Sequence, residues 1–272
     1  MLHLEGVVSA SASTDPLVGT QSVDPEWTAE ALREADRDDS IDAVVLRVNS
    51  PGGSPAASWE IYQAVSEMEK PVVVSVGDVA ASGAYYFSSA ADLIVAAPSS
   101  QVGSIGVILA AVDLEELLEK VGMKYTVLTR GDYKDMGHVS RELTEEEKDI
   151  LRQQMDLIYQ QFISDVAKAR DPLNEREVEE LANGLTFPGE EALEKGLVDR
   201  TGSYRDALDA AAELSGFEPD GYGVTSLDKD RGVGLLSLLF GTSGEGGLRE
   251  WGIQLLKTAG AGVSPSSVPL FR

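Results

Sequence analysis

The chain has 272 residues, 43% of them hydrophobic, with 22 basic and 46 acidic residues, a formal net charge of −24, two histidines and no cysteine. That length is long for one core and short for two full domains, and the apolar fraction is that of a soluble globular protein. The charge excludes nucleic acid as a partner, because few Lys or Arg are available to neutralise phosphates, and the missing cysteines exclude disulfides, zinc-thiolate sites and thiol nucleophiles.

The start, Met1-Leu2-His3-Leu4-Glu5, lacks the basic and long apolar regions of a secretory leader. Leu4 to Ser9 reads as a first strand, residues 10–26 as a loop rich in Ser, Thr, Asp, Gly and Pro, and Trp27 to Asp36 as a helix opened by Asp24 and Pro25. Ala43 to Val48 is a β-branched run suited to a buried parallel strand, broken by Asn49-Ser50-Pro51-Gly52-Gly53-Ser54. Ala56 to Glu69 returns to helical spacing. Pro71 to Val76 is a second buried strand, followed by a turn of small residues, Gly77 to Ala81, and a helix whose first turn carries Ser82. Leu93 to Ala96 is a short strand, Val102 to Leu109 contains Gly103-Ser104-Ile105-Gly106-Val107, Leu114 to Val121 is an amphipathic helix, and Tyr125 to Thr129 is a strand. Thr144-Glu145-Glu146-Glu147 has capping-box spacing and opens a long helix to about Arg170, with Ile150, Leu151, Met155, Ile158, Phe162, Ile163 and Val166 in a stripe that reads as core or subunit contact. Short helices follow. Beyond Gly216 the composition shifts, 241–247 reads as linker, and Val233 to Phe240 is far shorter than the roughly 20 apolar residues of a membrane span.

Strands alternating with helices at this spacing predict an α/β fold with a mostly parallel sheet and a helical C-terminal extension. Three parts are expected: an N-terminal strand, loop and helix over 1–39, a central domain over 40–215, and a partly flexible tail over 216–272. The acid is spread along the chain rather than gathered in a tail, which we read as adaptation to concentrated salt, where self-repulsion is screened.

Three loops follow predicted strands, where α/β folds gather reactive groups. Ser82 stands beside the free N–H groups of a helix start, with small neighbours that let a carbonyl approach; an N-cap role accounts for the same residue. Gly52 and Gly53 offer amides without side chains in the way, for an oxyanion or for a plain turn. A serine nucleophile needs a base. His3 lies at the extreme terminus and His138 reads as a solvated loop residue. Lys134, in the Gly-bounded loop Thr129 to Gly137, serves as a base if burial lowers its pKa toward ambient pH, and is otherwise a solvent-facing lysine. No metal-ligand cluster or cofactor motif is visible.

Four ordered stretches together, Val48-Asn49-Ser50-Pro51-Gly52-Gly53, Gly77 to Gly83, Gly103-Ser104-Ile105-Gly106-Val107 and Gly131-Asp132-Tyr133-Lys134-Asp135, resemble the signal peptide peptidase A family of serine peptidases, family S49, in its short bacterial and archaeal form. Arg141 to Glu146 and Gly196-Leu197-Val198-Asp199 continue the similarity, which covers roughly 40–215. The resemblance implies a Clp/crotonase-like spiral fold and a Ser–Lys dyad. Ser82 would be the nucleophile and Lys134 the base. The amides of Gly83 and of Gly52 or Gly53 would form the oxyanion hole, and Ser104 would orient the lysine amine. It also implies ring or dome homo-oligomers, cleaved signal peptides and other released or unfolded peptides as substrates, no cofactor, and membrane association. The chain departs from the family in Ala84, where many members have Gly, and in showing no anchor, which fits a soluble cytoplasmic form unless a segment lies upstream. A Clp-type Ser–His–Asp triad fails because the expected His position falls at Val107. A crotonase-like acyl-CoA enzyme shares the fold but leaves Lys134 and Ser104 unexplained, and a non-catalytic membrane-associated scaffold leaves Ser82 and Lys134 without purpose.

Overall fold

A parallel sheet buried on both faces needs strands that are apolar on both sides, and the strands around Ser82 have that character. The computed structural model describes residues 1–10, 22–219 and 221–228. In chain order the elements are β1 (Leu2–Glu5), β2 (Val7–Val8), β3 (Ser22–Val23), α1 (Pro25–Arg37), β4 (Val44–Ser50), α2 (Pro55–Ser66), β5 (Val72–Ala81), α3 (Gly83–Ser88), β6 (Leu93–Ala96), β7 (Gln101–Gly103), α4 (Glu115–Lys120), α5 (Glu145–Ala169), α6 (Glu175–Leu181), β8 (Thr186–Pro188), α7 (Gly189–Glu194), β9 (Arg200–Thr201) and α8 (Tyr204–Leu214). The main sheet runs β1-β4-β5-β6-β9, with β7 pairing both β5 and β8. All of its pairs are parallel except β7–β8. The expected α/β architecture is the one observed.

Alternation along the strands divides the core in two. Val44, Leu46 and Val48 of β4 and Val72, Val74 and Val76 of β5 face the larger cluster, which includes Leu32 of α1, Ile61 of α2, Phe87 of α3 and Phe162 of α5. Val45 and Val73 face the other way, onto Ala207, Ala210 and Ala211 of α8. The small alanines of α8 let that helix lie close on the sheet.

β5 is the element that positions the site. The turn expected over 77–81 is instead strand: β5 runs on to Ala81 and changes partner on the way. Its first half pairs β6 through Val73–Ser75, and its last residues pair β7, with Ala81 opposite Gly103. The register against β4 shifts between Val48 and Ser50. There the Asn49 side-chain oxygen accepts from the amides of Asp78 (3.1 Å) and Val79 (3.2 Å). An amide side chain thus replaces the missing ladder bonds and lets small residues continue a strand that propensity alone would end.

Two other expectations change. Ser22–Val23 is a strand paired with β2 inside the segment read as loop. Tyr125 to Thr129 forms no strand: every residue from Val121 to Lys134 is exposed, so no neighbouring strand supplies a ladder. The long helix starts at the predicted capping box, with Thr144 and Glu147 bonded reciprocally. Its stripe is buried only at Phe162, Ile163 and Val166, while Ile158 is 38% exposed. The segment Val233 to Phe240, the linker 241–247 and most of the expected tail lie outside the described residues. Among the described residues no helix is long and apolar enough to cross a membrane.

Candidate active site

Ser82 lies at the junction of β5 and α3, with φ 53° and ψ −125°. Left-handed backbone is costly for a residue with a Cβ. Among the described residues only Ser82 and Ser104 (φ 52°) adopt it without being glycine. Both are fixed by neighbouring backbone: the Ser82 amide donates to the Gly103 carbonyl (2.8 Å), and the Ser104 amide donates to the Leu185 carbonyl (2.8 Å). A sharp strand-to-helix turn that pushes a serine oxygen outward is the geometry of a nucleophile elbow. The cap role does not describe Ser82, because its side chain makes no capping hydrogen bond.

The Gly52–Gly53 turn is packed against this elbow. Gly52 has φ 90°, and a Cβ there would lie 2.6 Å from the Gly83 nitrogen and 2.7 Å from the Ala81 oxygen. The Gly52 amide donates to the Ser50 hydroxyl (3.1 Å). Val8 bridges the next residue: its amide donates to the Gly52 carbonyl, and its carbonyl accepts from Ser54, both at 2.9 Å. Alternate amides of an extended segment point to opposite edges, so the Gly53 N–H faces away from Val8. A Cβ on Gly83 would stand 3.4 Å from the Gly53 nitrogen and would collide with the Ser58 hydroxyl. The amide of Gly83 opens α3 and has no intrahelical partner. Two amides therefore adjoin the serine.

Gly53, Ser82 and Gly83 line a cleft of about 630 Å³, with Trp59, Tyr86, Val107, Ile108, Ile158, Gln161 and Phe162 among its other walls. The lining is mostly apolar and holds no carboxylate. Its floor is aromatic: the Tyr86 ring lies 4.6 Å from that of Phe162 and 5.1 Å from that of Tyr62. The Tyr86 hydroxyl donates to the buried Asp165 carboxylate at 2.6 Å. Burial and then this bond push the Tyr86 phenol well above its ordinary range, so it stays a neutral donor.

Ser104 follows the residue paired with Ala81, so the sheet register sets it close to Ser82. Its hydroxyl donates to the Gly184 carbonyl (3.1 Å), which leaves its lone pairs as acceptors. Lys134 is not brought to the cleft. It is exposed in a turn between Gly131 and Gly137 and is absent from the cleft lining. Neither histidine reaches the cleft: His3 lies in β1 opposite Arg47, and His138 contacts Ser140 and the Tyr125 ring. Sequence reasoning missed Trp59 and Gln161 as cleft walls and Asn49 as the bracket for β5. The one available signal was an asparagine where the strand pattern expects an apolar residue.

The mostly parallel sheet, the serine elbow and the flanking pair of amides define a Clp-like α/β fold that sets one serine beside two backbone donors. A solved structure of similar fold, "1510-N membrane-bound stomatin-specific protease S97A mutant", covers 84% of this chain and 91% of its own at a TM-score of 0.51 and 16% identity. The Peptidase family S49 model matches residues 64–218, and the Clp protease model matches 20–102. The chain is 44% identical over 180 residues to "Putative protease slr0021" of Synechocystis sp., covering 65% of each. It is 36% identical over 221 residues to "Putative protease MJ0651" of Methanocaldococcus jannaschii, covering 80% of this chain and 71% of that one. It is 34% identical over 217 residues to "Protease 4" of Haemophilus influenzae, covering 79% of this chain but 34% of that longer one. The chain belongs to peptidase family S49.

Proposed function

We propose that the chain is a serine endopeptidase that hydrolyses cleaved signal peptides and other released or unfolded peptides. The observation that carries this reading is the Ser82 elbow, a non-glycine residue in left-handed backbone at the edge of an apolar cleft with two amides beside it. Ser82 Oγ attacks the scissile carbonyl, and its proton passes to the Lys134 amine. The amides of Gly53 and Gly83 hold the oxyanion, while Gly52, whose own amide is engaged by Ser50, shapes the turn. The C–N bond then breaks, Lys134 returns the proton to the leaving amine, and a water molecule repeats the sequence on the acyl-enzyme. Ser104 accepts from the lysine amine and fixes its direction without adding a negative charge.

Assembly into a homo-oligomer is part of the proposal. Side chains such as Ile108 (95% exposed) and Leu128 (93% exposed) are unusual on a free surface, and burying each contributes roughly 1.5–3 kcal/mol. The Lys134 turn is tied to the first turn of α5, whereas Ile158 and Phe162 of the same helix line the serine cleft. Along the helix axis those points are roughly 16–24 Å apart, at about 1.5 Å per residue. A neighbouring copy is the natural source of the lysine, and packing of the largely exposed arm formed by residues 108–141 is what desolvates it. The net charge of −24 opposes such assembly at low ionic strength, and concentrated salt screens that repulsion between copies.

The test is labelling of assembled protein by a fluorophosphonate, followed by peptide mapping, in low and in molar KCl. Label is expected on Ser82 of the wild type and absent from Ser82→Ala and Lys134→Ala. Mixing the two variants should return label to the Lys134→Ala chains. Label that survives Lys134→Ala would overturn the lysine as base, and an unlabelled Ser82 in assembled wild type would overturn the peptidase reading.

A further inference from the structure

The Lys134 amide donates to the Gly131 carbonyl at 3.2 Å, but its side chain makes no hydrogen bond or ion pair among the described residues, in a chain with more than twice as many acids as bases. Both of its chain neighbours, in contrast, are held. The Tyr133 hydroxyl donates to the Glu146 carboxylate at 2.6 Å. The Asp135 carboxylate accepts two bonds from Arg141, from Nε at 3.0 Å and from Nη2 at 2.9 Å. The other side of the same guanidinium donates to Glu147, from Nη1 at 2.8 Å and also from Nη2. Glu147 in turn accepts from the Thr144 amide (2.9 Å) as the capping box of α5. The chain from helix to lysine is therefore Thr144–Glu147–Arg141–Asp135, with each link polar and directional.

A guanidinium is suited to this position because it is planar and offers donors on two edges, so one side chain can hold two carboxylates in a fixed relation. The Asp135 side chain is 24% exposed and that of Glu147 4% exposed, so water competes weakly at the helix side of the fork. The rest of the arm lacks such restraint. Its other side-chain contacts among the described residues include the surface pair Lys120–Glu116 and the His138–Ser140 turn. Within this exposed segment, the polar tethers to α5 fall on both residues flanking the one lysine assigned to the chemistry.

We propose that Arg141 is a positioning residue for Lys134: it clamps Asp135 onto the first turn of α5 and so presents the lysine at a fixed angle to the site it serves. This rests on the lysine base proposed above. The clamp acts through the backbone of 133–135 and does not touch substrate. A displacement of about 1 Å of a reacting group costs on the order of 10²-fold in rate, which sets the size of the effect to expect.

The experiment measures kcat, KM and the pH–rate profile of peptide cleavage on assembled Asp135→Asn, Arg141→Ala and Lys134→Ala. Asp135→Asn removes only the loop half of the clamp and leaves Arg141–Glu147 and the capping box in place, so it decides the matter if Arg141→Ala does not fold. The clamp predicts that kcat falls roughly ten- to hundredfold with little change in KM, and that the alkaline-rising limb moves. A purely structural role predicts lower melting temperature or weaker assembly, with wild-type kcat and an unmoved limb per assembled particle. That result, with Lys134→Ala inactive, would overturn the clamp alone. Activity retained in Lys134→Ala would overturn the lysine base and the clamp together.

Discussion

The wall that carries Ser82 and the arm that carries Lys134 are held by different forces. Around Ser82, strand pairing fixes the backbone on both sides, Asn49 fills the gap in the ladder, and Tyr85, Tyr86 and Phe87 of α3 are buried. The strain at Ser82 is sustained by that density of contacts, because a left-handed serine in a loose loop would relax. From Val121 to Lys134 no residue is buried, and order comes from a few polar tethers to α5. One half of the proposed dyad is thus complete in a single chain, and the other half is oriented but not enclosed.

This difference is broken most directly at the arm. Leu128→Asp combined with Val121→Asp places charge on side chains that are 93% and 60% exposed in the single chain. A free surface tolerates that change, whereas an interface does not. The expected outcome is a folded protein with wild-type circular dichroism that no longer assembles. It should lose about 10²–10⁴-fold in peptide cleavage, the share that general acid–base catalysis contributes. Sedimentation of the double variant checks it; retained assembly and activity would show that the exposed face is not the contact.

The wall is sharpened by Gly52→Ala. A Cβ at Gly52 meets the Gly83 nitrogen and the Ala81 oxygen, and φ 90° is unfavourable for alanine. Neighbouring atoms are backbone and cannot step aside without moving Ser82 or the amide beside it. Loss of one oxyanion donor costs about 10²–10³-fold in kcat. Assembly should persist, so a drop in turnover with unchanged sedimentation is the expected signature, opposite to that of the arm variant.

The same division explains what the sequence made legible. β4, β5 and β6 announce themselves by short runs rich in apolar and β-branched residues, and α5 by its capping box, because those signals are local. The continuation of β5 through Gly77 and Asp78 was hidden: it depends on Asn49, a residue distant in sequence that satisfies two amides. The strand expected at Tyr125 to Thr129 has β-branched and aromatic residues, but such residues record a need for burial and not its source. At the site, the motif order placed Ser82, Gly52, Gly53, Gly83 and Ser104 in one neighbourhood, which sheet register then accounts for. It also suggested Lys134, whose place in the single chain is solvent. Periodicity within one chain carries little information about what another surface covers.

The smallest expected effect concerns the tether between the two regions and appears only in acid. Hydrogen bonds from Arg141, followed by the amide of Thr144, hold the Glu147 carboxyl down from 4.5 to about 2, and Arg141 lowers Asp135 as well. A carboxyl depressed in the folded state binds its proton more readily when unfolded, so it stabilises the fold above its ordinary pKa. That contribution is intact at neutral pH, begins to fade as pH falls below about 4.5, and is gone near 2. Glu147→Gln removes it at every pH. Wild type and variant should therefore differ most in melting temperature at neutral pH and converge as the medium is acidified through that window. The cleft, whose lining holds no carboxylate, should contribute nothing to the convergence. A difference that stays constant from neutral pH down to pH about 3 would mean that Glu147 acts through shape at the helix start, and that charge does not hold the arm.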